Sequence, residues 1–414
     1  MKKILTLLVI CTCCCAYAQT DTVFTLQHAK NKLLNLNLNL LASYYQVDIA
    51  KARLIQAKVW NNPYFVFNGD LYSNETNEYF HFRNQHLLQL EQTFSIAGKH
   101  TNTVKLAKID VRIAEQQLEE VLRSLLFELC TAYNELSSLQ QKEQLYQQVL
   151  TNYDKLMAAT KRQYEVGSIS LTEALRLESE YVAIKTESAQ ISNQKEASLA
   201  DMRTLLRLPI DTIFYVEQKL PITAPEFDVT ILIEQAKEKR PDVLIEKFEQ
   251  EYSNRNLKLQ KSLGVPDLKL AYQPRDRGSN YVRPYQGFNV EFSVPLFDRN
   301  QGEIKAARFE IKKSNLELMQ VENRVENEIY SVYARYKKVY EGLKNYSDGF
   351  ISNIKQLNVN TNNAFQKRNI SLLEFIDQQR IYVQTNIQLI DLKKQFLNNV
   401  SELNFVAGTN LIDY

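Results

Sequence analysis

Tyr164-Glu165-Val166-Gly167-Ser168-Ile169-Ser170-Leu171-Thr172-Glu173 has a counterpart 201 positions later, Phe365-Gln366-Lys367-Arg368-Asn369-Ile370-Ser371-Leu372-Leu373-Glu374. Ile169, Ser170, Leu171 and Glu173 return as Ile370, Ser371, Leu372 and Glu374, and Tyr181-Val182 returns as Tyr382-Val383. Each copy lies between two long stretches of helical periodicity, so each reads as the tip of a helical hairpin. Repetition at a fixed spacing marks a duplicated architecture.

Before the first tip, residues 99–166 contain neither Gly nor Pro. Val104, Ala107, Val111, Ala114, Leu118, Val121, Leu125, Leu129, Ala132, Leu136 and Leu139 step by threes and fours, a coiled-coil seam. At about 1.5 Å per residue such a helix is roughly 100 Å long. After the tip a shorter helix is expected over 171–208, stopped by Pro209. The second half predicts a long helix over 303–367 that tolerates Gly342 and Gly349, then the second tip, then a helix from Leu372 to Phe405 ended by Gly408. Two further short helices are expected: 26–60, capped by Thr25 and stopped by Asn61-Asn62-Pro63, and 229–261, where Pro241 kinks or restarts the chain. Residues 209–228, with Pro221 and Pro225, read as an irregular connector. Two short helices placed end to end match one long one, which suggests a bundle of uniform length.

The period changes to two in four places. Phe65, Phe67, Gly69 and Leu71 alternate with Val66, Asn68 and Asp70, and Leu88, Leu90, Gln92 and Phe94 alternate with Gln89, Glu91 and Thr93. The stretch Asp267 to Tyr272 alternates as well. Phe288, Val290, Phe292 and Val294 complete the set. These are two β-hairpins with long polar loops. Alternating strands of about ten residues suit an outer-membrane barrel, lipid on one face and lumen on the other. Open sheet edges are not tolerated in lipid, so four strands cannot close alone and several chains must share a barrel. Two chains would give eight strands and three would give twelve.

Composition narrows the classes further. Among 414 residues Gly and Pro number only 10 and 9, which argues against an ordinary loop-rich enzyme. Residues 1–18 read as a secretory signal: Lys2 and Lys3, an apolar run from Ile4 to Cys15, and Ala16-Tyr17-Ala18 before Gln19. Its removal leaves as many basic as acidic side chains, so no nucleic-acid footprint is visible. It also takes Cys11, Cys13, Cys14 and Cys15, leaving Cys130 with no disulfide partner and a place on an apolar helix face. No later apolar run is long enough for a membrane-spanning helix. His28, His81, His86 and His100 are scattered, without the convergent ligands of a metal site. No metal or cofactor is expected, and no catalytic triad, phosphate loop or paired catalytic carboxylates is recognisable. Trp60, Tyr64, Tyr72, Tyr281 and Tyr285 border the strands as an interfacial girdle would.

In the order, spacing and duplication of these segments, essentially the whole chain resembles the TolC family of outer-membrane efflux proteins. The strand exits Phe94-Ser95-Ile96-Ala97-Gly98-Lys99 and Val294-Pro295-Leu296-Phe297-Asp298-Arg299-Asn300-Gln301-Gly302 resemble its heavy-metal-efflux branch. The resemblance implies a mainly α fold with a small membrane β part: long helical hairpins forming an α-barrel, and four strands per chain contributing to a twelve-stranded barrel shared by a homotrimer. The corresponding division is a signal over 1–18, an N-terminal tube helix over 19–62, a first β-hairpin over 63–96 and a first helical hairpin over 97–208. An equatorial connector (209–228), a short tube helix (229–264), a second β-hairpin (265–297), a second helical hairpin (298–408) and a tail (409–414) follow. It further implies a non-enzymatic duct in the outer membrane of a Gram-negative cell, with a long periplasmic extension. The duct would meet outer-membrane lipid, a periplasmic adaptor (membrane fusion) protein and an inner-membrane pump.

In that family acidic residues ring the periplasmic entrance, and Glu374 and Asp377, at i and i+3, stand at the corresponding places. Glu173 has the same position in the first copy, where Arg176 replaces the second acid. Three chains would bring a ring of carboxylates together, and such rings select cations. The plainer reading is of solvated first-turn acids favoured by the helix dipole; both stay open here, as does an Arg176–Asp377 contact holding the entrance shut. Gly167, Ser168, Ile169 and Ser170, with Arg368, Asn369, Ile370 and Ser371, are candidates for adaptor contact, and equally for plain turn formation and packing. Two other functions remain open: a duct for type I protein secretion, and a periplasmic coiled-coil scaffold without a pore.

Overall fold

A computed structural model describes residues 22–69, 71–74, 77–80, 86–217, 225–276, 283 and 285–412. The signal segment with its four cysteines, His81, Tyr281 and Pro221 lie outside the described residues. The chain divides into two compact units: residues 1–41, 122–236 and 326–414 make the first, and 42–121 and 237–325 the second.

The first unit contains both tips. Its strands β1 (Thr22–Phe24) and β6 (Phe214–Val216) pair in parallel, Phe24 opposite Val216. The lead and the 209–228 connector are therefore not wholly irregular. Three-residue strands show no period, and their pairing is set by distant contacts. Tyr133 fixes them: its hydroxyl lies 3.0 Å from Phe24 O and 2.9 Å from Glu217 O. Burial pushes this phenol up to about 12.

The expected helix over 26–60 is two helices, α1 (Leu26–Leu36) and α2 (Leu38–Ala57). The interruption is Asn37, whose Oδ1 accepts from the Asn39 and Leu40 amides while its Nδ2 donates to Leu205 O at 3.1 Å. A side chain that bonds the backbone locally competes with the helix at its own position. Helix α3 (Lys99–Glu165) is unbroken over 67 residues, and Leu125, Leu129, Leu136 and Leu139 of the expected seam are buried. Cys130 is a buried thiol outside any disulfide. Helix α4 (Leu171–Leu206) follows.

The other expected long helix is also divided, into α7 (Gln301–Lys344) and α8 (Asp348–Gln366). Between them Ser347 caps α8, its Oγ accepting from the Phe350 amide at 3.2 Å, and Asp348 supplies an acid to the first turn. Helix α9 (Leu372–Ala407) ends at Gly408, with φ +66°. The helix containing Pro241 restarts, as α5 (Val229–Lys239) and α6 (Pro241–Leu263), with Pro at the first helical position, where its missing N–H costs nothing.

The second unit holds the sheet. Strands β2 (Tyr64–Gly69), β5 (His86–Phe94), β7 (Leu268–Asp276) and β8 (Tyr285–Glu291) lie in the order β2-β5-β7-β8, every pair antiparallel. Two short strands, β3 (Tyr72–Ser73) and β4 (Glu78–Tyr79), pair within the first hairpin's loop. Register shifts flank Pro274, which has no N–H for a ladder bond. Phe65, Phe67, Leu90, Tyr272, Phe288 and Val290 share one exposed face. Among the described residues no helix is long and apolar enough to cross a membrane.

Candidate functional site

The two tips are the same backbone motif written with different residues. At the end of α3 the Ser168 amide donates to Gln163 O at 2.8 Å and the Gly167 amide to Tyr164 O at 3.0 Å. At the end of α8 the Asn369 amide donates to Ala364 O at 2.8 Å and the Arg368 amide to Phe365 O at 2.9 Å. Both patterns are Schellman caps, which need a left-handed residue just past the helix. Gly167 supplies it with φ +70° and Arg368 with φ +61°.

The residues that follow cap the outgoing helices. Ser170 Oγ accepts from the Glu173 amide at 3.2 Å, and Glu173 Oε2 accepts from the Ser170 amide at 2.9 Å, a complete capping box. The Ser170 amide and hydroxyl hold the Glu173 carboxyl below its ordinary value. Ser371 caps α9 through the Glu374 amide at 3.2 Å. The Ser-x-x-Glu spacing at 170–173 and 371–374 was the readable signal for these caps. Sequence reading left Glu173 between an entrance acid and a solvated first-turn acid, and the fold gives it a capping task.

Beneath the tips a shared core joins the hairpins: Leu145, Val149, Tyr153 and Leu177 pack with Phe375, Ile376 and Val383. Phe375 and Tyr153 are completely buried, and the Phe365 and Phe375 rings stand 4.7 Å apart. Ile169 and Ile370 are half-buried, whereas the other tip candidates, Gly167, Ser168, Ser170, Arg368, Asn369 and Ser371, are exposed. A cavity of about 450 Å³ opens between the tips, bordered by Lys155, Thr160, Ile169, Glu173, Arg368 and Ile370.

Arg176, Glu374 and Asp377 are exposed. Within the chain Arg176 and Asp377 form no ion pair; the pair joining α4 to α9 is Glu180 with Arg380, at 2.7 Å. Glu180 raises the Arg380 guanidinium further above its ordinary value. Tyr181, in the repeated Tyr-Val, donates to Asp154 Oδ1 at 2.9 Å and so ties α4 to α3. These two ties were invisible in the sequence because their partners come from different helices.

The remaining candidates fall elsewhere. His28 meets the edge of Phe24 and His100 stacks on Trp60 at 4.2 Å. The stretch Asp298-Arg299-Asn300-Gln301 builds the start of α7: the Asn300 amide donates to Asp298 Oδ1, and Asn300 Nδ2 donates to Gln260 O at 2.8 Å. Its residues are engaged in shaping that joint.

The profile of a family described as "Outer membrane efflux protein" matches residues 23–206 and 232–409. Three solved structures share the fold. The CmeC outer membrane channel of Campylobacter jejuni aligns with a TM-score of 0.75 at 14% identity, over 94% of this chain and 87% of that one. The open state of the MtrE outer membrane channel of Neisseria gonorrhoeae gives 0.71 at 14%, over 93% and 89%. CusC, described for conformational changes that accompany folding and transmembrane channel formation, gives 0.70 at 16%, over 93% and 92%. No curated protein matches.

Proposed function

Because the chain belongs to the outer membrane efflux protein family, we propose that it is the outer-membrane duct of a tripartite efflux system. The observation that carries this reading is the sheet: it has one face of exposed apolar side chains and two open edges, β2 and β8. Lipid demands that such edges be paired, and three copies close a twelve-stranded barrel. The β segments over 63–96 and 265–297 then lie in the membrane. The helical hairpins over 97–208 and 298–408 extend into the periplasm, and the tips form the far mouth. The exposed tip residues and the cavity between them suit a periplasmic adaptor, which links the duct to an inner-membrane pump.

At the mouth, Glu374 and Asp377 from three chains make a carboxylate ring that favours cations. Arg176 offsets it, while Glu173 contributes through its cap. The cargo is chosen by the pump, and heavy-metal cations are the cargo that the 298–302 stretch suggests. The test is conductance of the purified chain in a planar bilayer. Cation-preferring steps are expected, weaker in preference in an E374Q/D377N variant. Unchanged selectivity would remove the ring, and a soluble, non-conducting monomer would favour a scaffold. Pumps and adaptors co-purified with the chain would separate metal efflux from protein secretion.

A further inference from the structure

The face of the sheet opposite its apolar side chains carries a concentrated set of charges. Over the four strands the charged residues are Glu91, Lys269 and Glu291, with Arg275 and Asp276, of opposite sign, at the end of β7 past the register shift. Register places Glu91, Lys269 and Glu291 on this face. Lys269 is directly opposite Glu291, whereas Glu91 is opposite Ala271 and thus diagonal to Lys269. Lys269 Nζ lies 3.3 Å from Glu291 Oε1 and 3.9 Å from Glu91 Oε1, so one ammonium bridges two carboxylates on three adjacent strands.

A hydrogen-bonded ladder holds this group in place. Gln273 Nε2 donates to Gln89 Oε1 at 3.0 Å, and Gln89 Nε2 donates to Glu91 Oε2 at 3.2 Å. Gln273 is buried because it leans over Gly287, where a Cβ would stand 2.5 Å from its Oε1. Glu91 is therefore held between Gln89 and Lys269, while the Glu291 carboxylate remains two-thirds exposed. Two carboxylates against one ammonium leave one net negative charge per chain.

We infer that Glu91, Lys269 and Glu291 form a second charge filter, inside the barrel, which favours small cations over anions. This rests on the trimeric duct proposed above. Closure with the apolar face toward lipid turns this face to the lumen and brings three such groups to one level, three net negative charges in all. Charged rings in water-filled pores set ion preference in this way. The filter is remote in sequence from the acids at the helical tips and acts independently of them.

The test is the potassium-to-chloride permeability ratio of the full chain in a planar bilayer. It is measured at about 0.1 M salt, where the Debye length is about 10 Å and the ring is incompletely screened. E91Q/E291Q leaves only the lysines at this level, so the ratio falls below that of the unaltered chain. K269Q removes the ammonium and raises the ratio above that of the unaltered chain. Because the two changes act in opposite directions, misassembly of one variant leaves the other decisive. A conducting channel with the same ratio in both variants overturns the filter and leaves the duct standing. Failure of the unaltered chain to conduct overturns the duct and the filter with it.

Discussion

The two tips make a paired experiment possible because the same left-handed position is glycine in one and arginine in the other. Gly167→Ala puts a Cβ where no other atom lies within 4 Å, so its cost is conformational and not steric. The left-handed region costs a non-glycine residue about 1–2 kcal/mol. Stiffening of the unfolded chain returns about 0.4–1 kcal/mol. The net loss is about 0.5–1 kcal/mol. At Arg368, φ +61°, the same terms apply with the opposite sign, and Arg368→Gly should gain a similar amount. The readout is hydrogen exchange at the amides that close each turn, Gly167 and Ser168 in the first and Arg368 and Asn369 in the second. Protection should fall about two- to fivefold in Gly167→Ala and rise by a similar factor in Arg368→Gly. Gly167→Ala with unaltered protection, or Arg368→Gly with reduced protection, would refute the assignment of strain to this position.

Other outcomes follow from the same geometry. Glu173 has a lowered carboxyl, so its capping contribution is present above the unfolded value and lost as pH falls through the folded one. Glu173→Ala should abolish that pH dependence in the protection factor of the Ser170 amide. Glu249 is shifted the other way, first by burial and then by Glu246, Asp110 and Glu317. A raised acid stabilises below its unfolded value, near 4.3, and loses that contribution as pH rises through the folded one. Glu249→Gln should therefore raise the unfolding temperature at pH 7 and make no difference below about pH 4. Gly264→Ala would set a Cβ 2.7 Å from Arg299 O. Thermal melts should record a loss of about 1–3 kcal/mol, the usual cost of forced overpacking.

Much of the fold was legible because its signals are long. A glycine- and proline-free run over 99–166 with a continuous apolar seam has one sensible reading, and α3 spans it without a break. Alternation located all four sheet strands, and Pro241 marked a helix start. The failures are local interruptions of long helices. Asn37 breaks the first by bonding backbone across a turn and to Leu205, a partner 168 residues away. Ser347 breaks another, and here the Ser-Asp cap was readable although Gly342 and Gly349 drew attention instead. At the tips the duplication was plain from sequence. The division of labour was not: Glu173 binds its own helix end, and the tie between α4 and α9 is made by Glu180 and Arg380, one turn beyond the residues singled out. Such pairings depend on which helix faces turn toward each other, which a single helix's periodicity does not encode.

If four strands from each of three chains close one barrel, β2 of one copy meets β8 of the next. Pairs of cysteines in one chain, one on β2 and one on β8, such as Asn68→Cys with Asn289→Cys, test that closure in intact outer membranes. The native Cys130 is buried. For the pairs in register, a covalent ladder that stops at three chains is expected. A ladder that stops at two chains, or no cross-link at any pair along the two strands, would contradict that closure.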